Sequence, residues 1–384
     1  MSILFTNAKV ILPTKVLSGG WLLCEEKSIR LIGSGDTPKL AVDEVINAEG
    51  RMLIPGFIDV HVHGAMGYDT MDANSDALLK MAQFYAQHGV TGFLPTTWTQ
   101  PRDRIMAALE VIAANKGQQS EGATILGAHL EGPYINAEKR GAQREQDVRR
   151  ADRDEALSFL NLNVIRLLAL APEFEENKWL IQECVKRGVT VSVAHTNANY
   201  QQVVDAAALG LSHATHTYNA MTGLNHRDPG TLGAVMTLPQ ITCELIADNI
   251  HVHPAAMQIL YAAKGAHRLV LITDSVRTAG LPEGEYAIDD RSVFVKDGAV
   301  RLSDGTLAGS MLTMDVGVKN FMVATGQSLE NIWQTTSLNA ARSIGLAAHK
   351  GSLEVGKDAD LVLVDDDVHV YMTVAEGRIV YRNL

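Results

Sequence analysis

Two histidines, His61 and His63, stand one residue apart at the end of an apolar run. Side chains at positions i and i+2 of a β-strand share one face, so both imidazoles can bind the same ion. Neutral imidazoles and carboxylates are ligands that zinc and iron prefer, and catalytic metal sites keep one coordination position open for water. The spacing therefore predicts that this strand end contributes to a metal site.

Histidines and acidic residues also end other apolar runs of the chain. One such histidine alone would more often be a structural residue, but several at separate strand ends indicate a shared metal centre. His213, three residues before His216, is expected to face the other way and to be structural. For His129, a role in supporting the metal ligands and a place in the hydrophobic core are equally consistent with the sequence. The residues that carry the prediction are Glu131, His195, His216 and Asp274, together with His61 and His63.

A second group of residues could bind an anion. Asn219 and Ala220 follow one strand, Arg227 lies in a loop rich in Gly and Pro, and His251 follows another strand. Arginine and histidine donors combined with free backbone N–H groups suit a phosphate. A solvated loop and a helix cap explain the same residues, and spacing alone favours that alternative.

The elements that must position these residues alternate between apolar strands and amphipathic helices. The expected helices cover 75–88, 101–115, 176–187, 200–209 and 254–264. Eight strand–helix units predict parallel strands and a closed (β/α)8 barrel, whose chemistry lies at the C-terminal ends of the strands. An open doubly wound sheet is the alternative, but no G-x-G-x-x-G follows the first strand. The expected strands cover 52–60, 90–95, 123–130, 164–170, 189–194, 213–217, 241–247 and 268–273.

Both ends of the chain read as short strands and turns rather than as strand–helix units. We expect residues 1–52 and 345–384 to pair into one small β-sandwich domain and residues 53–344 to form the catalytic barrel.

Composition limits the partners of the chain. Its 384 residues carry a formal net charge of −11, which argues against a general nucleic-acid binder. The three cysteines form no C-x-x-C pair, which favours buried thiols in a reducing cytoplasm. We see no signal peptide and no apolar run of about 18 residues, so no membrane association is expected.

Several motifs together resemble the N-acetylglucosamine-6-phosphate deacetylases of the amidohydrolase superfamily. Residues 55–63 read P-G-F-I-D-V-H-V-H, and residues 351–362 read G-S-L-E-V-G-K-D-A-D-L-V, similar to the opening and closing signatures of that superfamily. H-L-E-G-P at 129–133 and H-T-Y-N-A-M at 216–221 are the more specific segments, accompanied by A-H-T at 194–196 and T-D at 273–274. The resemblance covers essentially the whole chain.

The resemblance implies a metal-dependent barrel that hydrolyses the acetamido group of an amino sugar phosphate to acetate and glucosamine 6-phosphate. It implies that Glu131, His195 and His216 are the core metal ligands and that Asp274 is the catalytic carboxylate. It also implies a homodimer in which the loop of His226 and Arg227 helps to close the neighbour's phosphate site. The implied substrate contacts are Ala142, Gln143, Asn219, Ala220, Arg227, His251, Leu307, Ala308 and Gly309, the last three in a loop.

Two features vary among the proteins that the chain resembles. Some members replace the H-x-H histidines and hold one metal, whereas this chain keeps His61 and His63, which favours a second ion bridged by Glu131. One or two ions per subunit are therefore expected, zinc first, with iron, manganese or cobalt as alternatives. Some members carry a histidine where this chain has Gln143, which leaves the role of Gln143 open.

Three other functions compete with this interpretation. Many cyclic amidases use a carboxylated lysine at the end of strand four, but residues 168–172 contain no lysine. A catalytically inactive sugar-phosphate-binding barrel is disfavoured because Asp274 and every metal ligand are present. N-acetylgalactosamine-6-phosphate deacetylase stays open, because the two substrates differ at a single hydroxyl.

Overall fold

The structure, a computed structural model, describes residues 1–118 and 121–384. Both ends of the chain share one eight-stranded sheet. Its N-terminal strand pairs in parallel with Met52–Pro55, and that strand pairs antiparallel with the C-terminal strand Leu361–Val364. Side chains such as Phe5, Leu22 and Leu363 form a separate buried core here. The strands are Ser2–Ile11, Val16–Glu25, Ser28–Ser34, Glu44–Asn47, Met52–Pro55, Leu361–Val364, Val370–Ala375 and Arg378–Arg382.

Parallel strands in the centre of the chain form the predicted (β/α)8 barrel. The first and eighth strands meet where the backbone N–H of Asp274 donates to the carbonyl of His61 at 2.9 Å, and Val62 forms a parallel bridge with Ser275. The barrel strands are Phe57–Val62, Val90–Thr97, Ala128–Glu131 (preceded by the short strand Thr124–Ile125), Ile165–Leu170, Thr190–Val193, His213–Ala214, Thr242–Ile246 and Leu269–Ile272.

The strand predicted over 52–60 is in fact two strands. Met52–Pro55 belongs to the terminal sheet, and Phe57–Val62 begins the barrel. Gly56 separates them at a close approach of chains: a Cβ at this position would lie 2.2 Å from a methyl carbon of Thr91. A continuous apolar run therefore passes from one sheet to the other at the residue that has no side chain.

The five predicted helices are present, with ends within one residue of those expected. Side-chain caps account for several starts: Asn74 accepts from the backbone of Ala77, and Asn199 accepts from that of Gln202. Within residues 1–118 and 121–384, no helix has both the length and the apolar composition needed to cross a membrane. The α-helices are Ser75–Gln87, Arg102–Asn115, Arg153–Leu160, Glu175–Lys186, Tyr200–Ala208, Gly230–Thr237, Pro254–Lys264, Met314–Thr325, Leu329–Ile332 and Leu338–Ser343.

A four-stranded antiparallel meander follows the eighth barrel strand and was not expected from the sequence. Its strands are Gly284–Ile288, Arg291–Lys296, Ala299–Leu302 and Leu307–Ser310. The predicted loop at 306–309 is therefore largely the last strand of this meander. The backbone N–H of Ser310 donates to the carbonyl of Asp274 at 2.9 Å, which holds the meander at the mouth of the barrel.

Candidate metal centre and active site

The predicted metal ligands lie at or just beyond the C-terminal ends of their strands. His61 is in the first strand and Glu131 ends the third, whereas His195, His216 and Asp274 each stand two residues beyond a strand. These last three residues have left-handed backbone conformations, with φ of 44°, 28° and 51°. Such conformations are unfavourable for residues with a Cβ and often occur at functional sites.

The carboxylate of Glu131 lies between two groups of ligands. Its Oε1 is 3.3 Å from Nε2 of His195 and 3.1 Å from Nε2 of His216. Its Oε2 is 3.3 Å from Nε2 of His63. In the second group, Oδ1 of Asp274 is 3.4 Å from Nε2 of both His61 and His63. One carboxylate thus reaches both groups, which is the arrangement expected for a ligand that bridges two ions.

The outer nitrogens of the histidine rings fix which nitrogen faces inward. Nδ1 of His195 lies 2.8 Å from the carbonyl oxygen of Lys139, to which only an N–H can donate. Nδ1 of His61 lies 3.1 Å from Oε2 of Glu244, which also accepts from the backbone N–H of His216. Hydrogen bonds of this kind leave the inner Nε2 lone pair of His61 and of His195 available to a metal.

The electrostatics of the cluster favour a positive charge at its centre. Burial would raise the pKa of Glu131, but the charge of His61 and the close approach of the His195 and His216 imidazoles hold that pKa well below its usual value. Burial would lower the pKa of His61, but the carboxylates of Asp274 and Glu131 raise it well above the usual value. Nε2 of His61 is buried and makes no hydrogen bond. This donor set therefore fits a divalent metal.

Two acidic residues support the cluster, and neither is among the predicted metal ligands. Glu244 is fully buried, and its Oε1 also lies 3.1 Å from Nε2 of His213. Asp59 accepts from the Thr273 hydroxyl at 2.6 Å, and burial raises the pKa of Asp59 to about 7. A carboxylate in the middle of an apolar strand was the available signal for Glu244, because burying an isolated charge is unfavourable.

A cavity of about 290 Å³ opens above the cluster. It is lined by most of the predicted substrate contacts and by every predicted metal ligand except His61, which is fully buried. Ala308 does not line it, because strand alternation turns Leu307 and Gly309 towards the cavity and buries Ala308 on the other face. The lining residues are His63, Trp98, Glu131, Glu138, Lys139, Gly141, Ala142, Gln143, His195, His216, Asn219, Ala220, His251, Asp274, Thr306, Leu307 and Gly309.

Gln143 and Arg227 stand in different relations to the cavity. Gln143 donates through Nε2 to Oε2 of Glu131 at 2.6 Å, and its Oε1 accepts from the backbone N–H of Thr99 at 2.7 Å. It therefore holds the bridging carboxylate as well as lining the cavity. Arg227 is exposed and does not line the cavity of its own chain.

The predicted anion-binding histidine is held firmly in place. Nδ1 of His251 lies 2.6 Å from Oδ2 of Asp248, and the backbone N–H of His251 donates to the other oxygen of this carboxylate at 2.7 Å. These contacts leave the Nε2 edge of the ring for the cavity that His251 lines.

Comparison with known proteins gives concordant results. The model of the Amidohydrolase family matches residues 52–380. The chain is 38% identical to N-acetylglucosamine-6-phosphate deacetylase of Bacillus subtilis (strain 168), over 99% of this chain and 97% of the relative. It is 39% identical to N-acetylgalactosamine-6-phosphate deacetylase of Escherichia coli O157:H7, over 87% and 89%. The crystal structure of N-acetylglucosamine-6-phosphate deacetylase from Pasteurella multocida superposes with a TM-score of 0.94 at 31% identity, over 100% of both chains.

Proposed function

The chain belongs to the amidohydrolase family, and from this premise we infer that it hydrolyses N-acetylglucosamine 6-phosphate to glucosamine 6-phosphate and acetate. The observation that carries this conclusion is the bridging position of Glu131 between two groups of metal-ligating side chains, directly beneath a cavity of sugar size. The near full-length similarity to deacetylases of amino sugar phosphates supplies the substrate class.

The roles of the residues follow from this chemistry. Glu131, His195 and His216 would hold one metal ion, and His61 and His63 would hold a second that shares Glu131. We propose zinc. When bound, such a metal supplies Lewis-acid activation of the acetamide carbonyl and of the attacking water. Asp274 accepts the proton of that water as it adds to the carbonyl carbon, then delivers the proton to the amine nitrogen as the C–N bond breaks.

The sugar phosphate is held by the remaining lining residues. His251 and the turn that contains Asn219 and Ala220 all line the cavity, and their donor groups suit the phosphate. Ala142, Gln143 and the strand 307–310 contact the sugar. Arg227 completes the phosphate site of a neighbouring subunit in a homodimer. The exposure of Arg227, outside the cavity of its own chain, supports this arrangement in trans. The three free, buried cysteines support a cytoplasmic location.

The galactosamine epimer is the second candidate substrate, because a relative with that activity is 39% identical. The deciding experiment is turnover of both N-acetylhexosamine 6-phosphates by protein of measured metal content. We expect acetate release from both to depend on metal and kcat/KM to favour the glucosamine epimer. A higher kcat/KM for the galactosamine epimer would reverse the assignment, and absence of acetate from both substrates would refute the function.

Metal count is tested by elemental analysis of protein from metal-replete growth. We expect more than one equivalent for the native chain and about one for the double variant His61→Asn/His63→Asn. A single equivalent in both proteins would exclude the second ion.

The shared phosphate site is tested by mixing two impaired proteins. Arg227→Ala should weaken substrate binding by about 1–3 kcal/mol, the range for a lost charge-assisted contact. Mixing it with inactive Asp274→Asn should restore activity, because a hybrid dimer has one site with both groups. If the mixture after subunit exchange shows only the summed activity of the two separate proteins, Arg227 acts in its own subunit's site or in no site.

A further inference from the structure

Trp98 forms an aromatic wall at one end of the cavity. It follows the second barrel strand, has 4% of its surface exposed and lines the cavity. Its ring stacks on that of His63, with centroids 4.1 Å apart and planes 26° apart. Nε2 of His63 is in turn 3.4 Å from Oδ1 of Asp274. Trp98 is therefore at the reacting end of the cavity, directly behind a predicted metal ligand.

Few other large apolar side chains line the cavity. Its lining also includes carboxylate, imidazole and carboxamide groups, from residues such as Glu131, Gln143 and Asp274. Among the described residues that line the cavity, Trp98 has the largest apolar side chain. The apolar alternatives are Ala142, Ala220 and Leu307.

The geometry of the reaction brings the acyl group to this wall. Hydrolysis requires the acetamide carbonyl carbon to lie within reach of Asp274 and the ligand cluster, and the acetyl methyl is one bond away from that carbon. Packing of a methyl on an aromatic ring is favourable, whereas its packing against charged groups would desolvate them. We propose that the indole of Trp98 packs on the acetyl methyl and limits the enzyme to short acyl groups. This inference rests on the proposed function and adds a determinant of acyl specificity to it.

The wall is held too firmly to yield to a longer acyl chain. The backbone N–H of the next residue, Thr99, donates to Oε1 of Gln143, which itself holds Glu131. Gly132 packs against the same segment, where an added Cβ would lie 2.1 Å from the Thr99 hydroxyl oxygen. Displacement of the ring would disturb its stack on His63, and displacement of the backbone beside it would disturb the Gln143 contact, so an added methylene meets a rigid surface.

The test compares acyl chain lengths in matched variants. N-acetyl, N-propionyl and N-butyryl glucosamine 6-phosphate are assayed with the native enzyme, Trp98→Ala and Trp98→Phe. The control is Trp179→Ala: this tryptophan donates to the carbonyl of Ala151 and stacks with Arg153 outside the cavity. We expect the native kcat/KM to fall about tenfold or more for each added methylene, within the usual range for one methylene in an apolar pocket.

In Trp98→Ala the butyryl-to-acetyl ratio of kcat/KM should rise at least about tenfold above the native ratio. The ratio in Trp98→Phe should lie between those of the native enzyme and Trp98→Ala. Trp179→Ala should keep the native ratio. Metal content of each protein is measured in parallel. An unchanged ratio in Trp98→Ala would overturn the proposal, whether or not metal is lost, since support of His63 alone affects all acyl groups equally. If Trp98→Ala does not fold, the same criterion applies to Trp98→Phe. Failure of the native enzyme on the acetyl substrate would instead refute the proposed function.

Discussion

Two largely buried clusters of charged side chains, one beside the terminal sheet and one in the barrel mouth, have their charges balanced in different ways. In the first, Nζ of Lys350 lies 2.8 Å from Oδ2 of Asp358, 2.8 Å from Oδ2 of Asp360 and 3.2 Å from Oε1 of Glu376. The chain itself supplies the cation that these carboxylates need. Their negative charge, Asp360 foremost, raises the pKa of Lys350 although burial would lower it.

The cluster in the barrel mouth has carboxylates but no such cation. Among residues 1–118 and 121–384, no lysine or arginine forms an ion pair with Glu131, Asp274 or Glu244. Its histidines face inward instead, below a cavity. The two roles can be told apart by charge: a structural cluster is neutralised within the chain, whereas a functional one leaves the central position to a ligand.

Substitution of Asp274, the proposed proton acceptor, should cause the largest change of all, a loss of kcat. In Asp274→Asn the shape persists but the proton acceptor is lost, which costs 10²- to 10⁴-fold in typical enzymes. The same group also protonates the leaving amine here, so we expect the loss of kcat to reach about 10⁴-fold or more. Metal content and thermal stability should change little. Retention of more than about a tenth of kcat with metal intact would contradict the acid–base role.

Loss of the lysine from the other cluster should affect stability rather than activity. Lys350→Met leaves three carboxylates without their cation, and breaking a buried ion pair typically costs about 3–5 kcal/mol. Urea unfolding should show this loss, while kcat per folded molecule stays near native. Lys319→Met, which removes an exposed ion pair with Asp367, is the control and should cost about 1 kcal/mol or less. Equal costs in both variants would contradict the structural role of Lys350.

Substitution of Glu244 tests whether the functional cluster depends on its support. Glu244→Gln replaces one acceptor oxygen by a donor, so it cannot keep its contacts with His61, His213 and the His216 backbone. Loss of such a support commonly lowers metal affinity 10- to 100-fold. Competition with a chelator should reveal the loss. Glu155→Gln, which disturbs contacts with Arg149 and Tyr134, should leave metal affinity unchanged. Native metal affinity in Glu244→Gln would be evidence against this dependence.

The smallest expected effect concerns pH. The pKa of Lys350 is higher in the folded chain than in the unfolded chain, so its charge stabilises the fold. This stabilisation is complete below the ordinary lysine pKa of about 10.4 and is lost as the pH rises above that value. The difference in unfolding free energy between the native chain and Lys350→Met should therefore narrow by about 1.4 kcal/mol per pH unit above that value. Urea unfolding of both proteins from pH 9 to 11.5 measures it. If the difference in unfolding free energy stayed constant or widened as the pH rises, the stabilising role of the Lys350 charge would be contradicted.

Local patterns in the sequence were sufficient for the barrel and for the positions of the predicted ligands. The end of an apolar strand is visible in the sequence, and alternation places His61 and His63 on one face. The helix over 254–264 was predicted to its exact bounds because Pro254 stands at its first position. What local patterns could not supply was which of these elements touch.

The tertiary structure alone decided the features that depend on distant contacts. Glu244 reaches His61 across 183 positions of sequence, and no periodicity within one strand encodes such a pair. The passage of the chain between sheets at Gly56, the stacking of Trp98 on His63 and the position of Arg227 outside its own cavity have the same origin. The barrel strands, the five predicted helices and the candidate ligands at the strand ends could be predicted, because these depend on neighbouring residues. The residues that support the ligands and line the cavity could be identified only from the fold, because packing brings together residues that are far apart in the sequence.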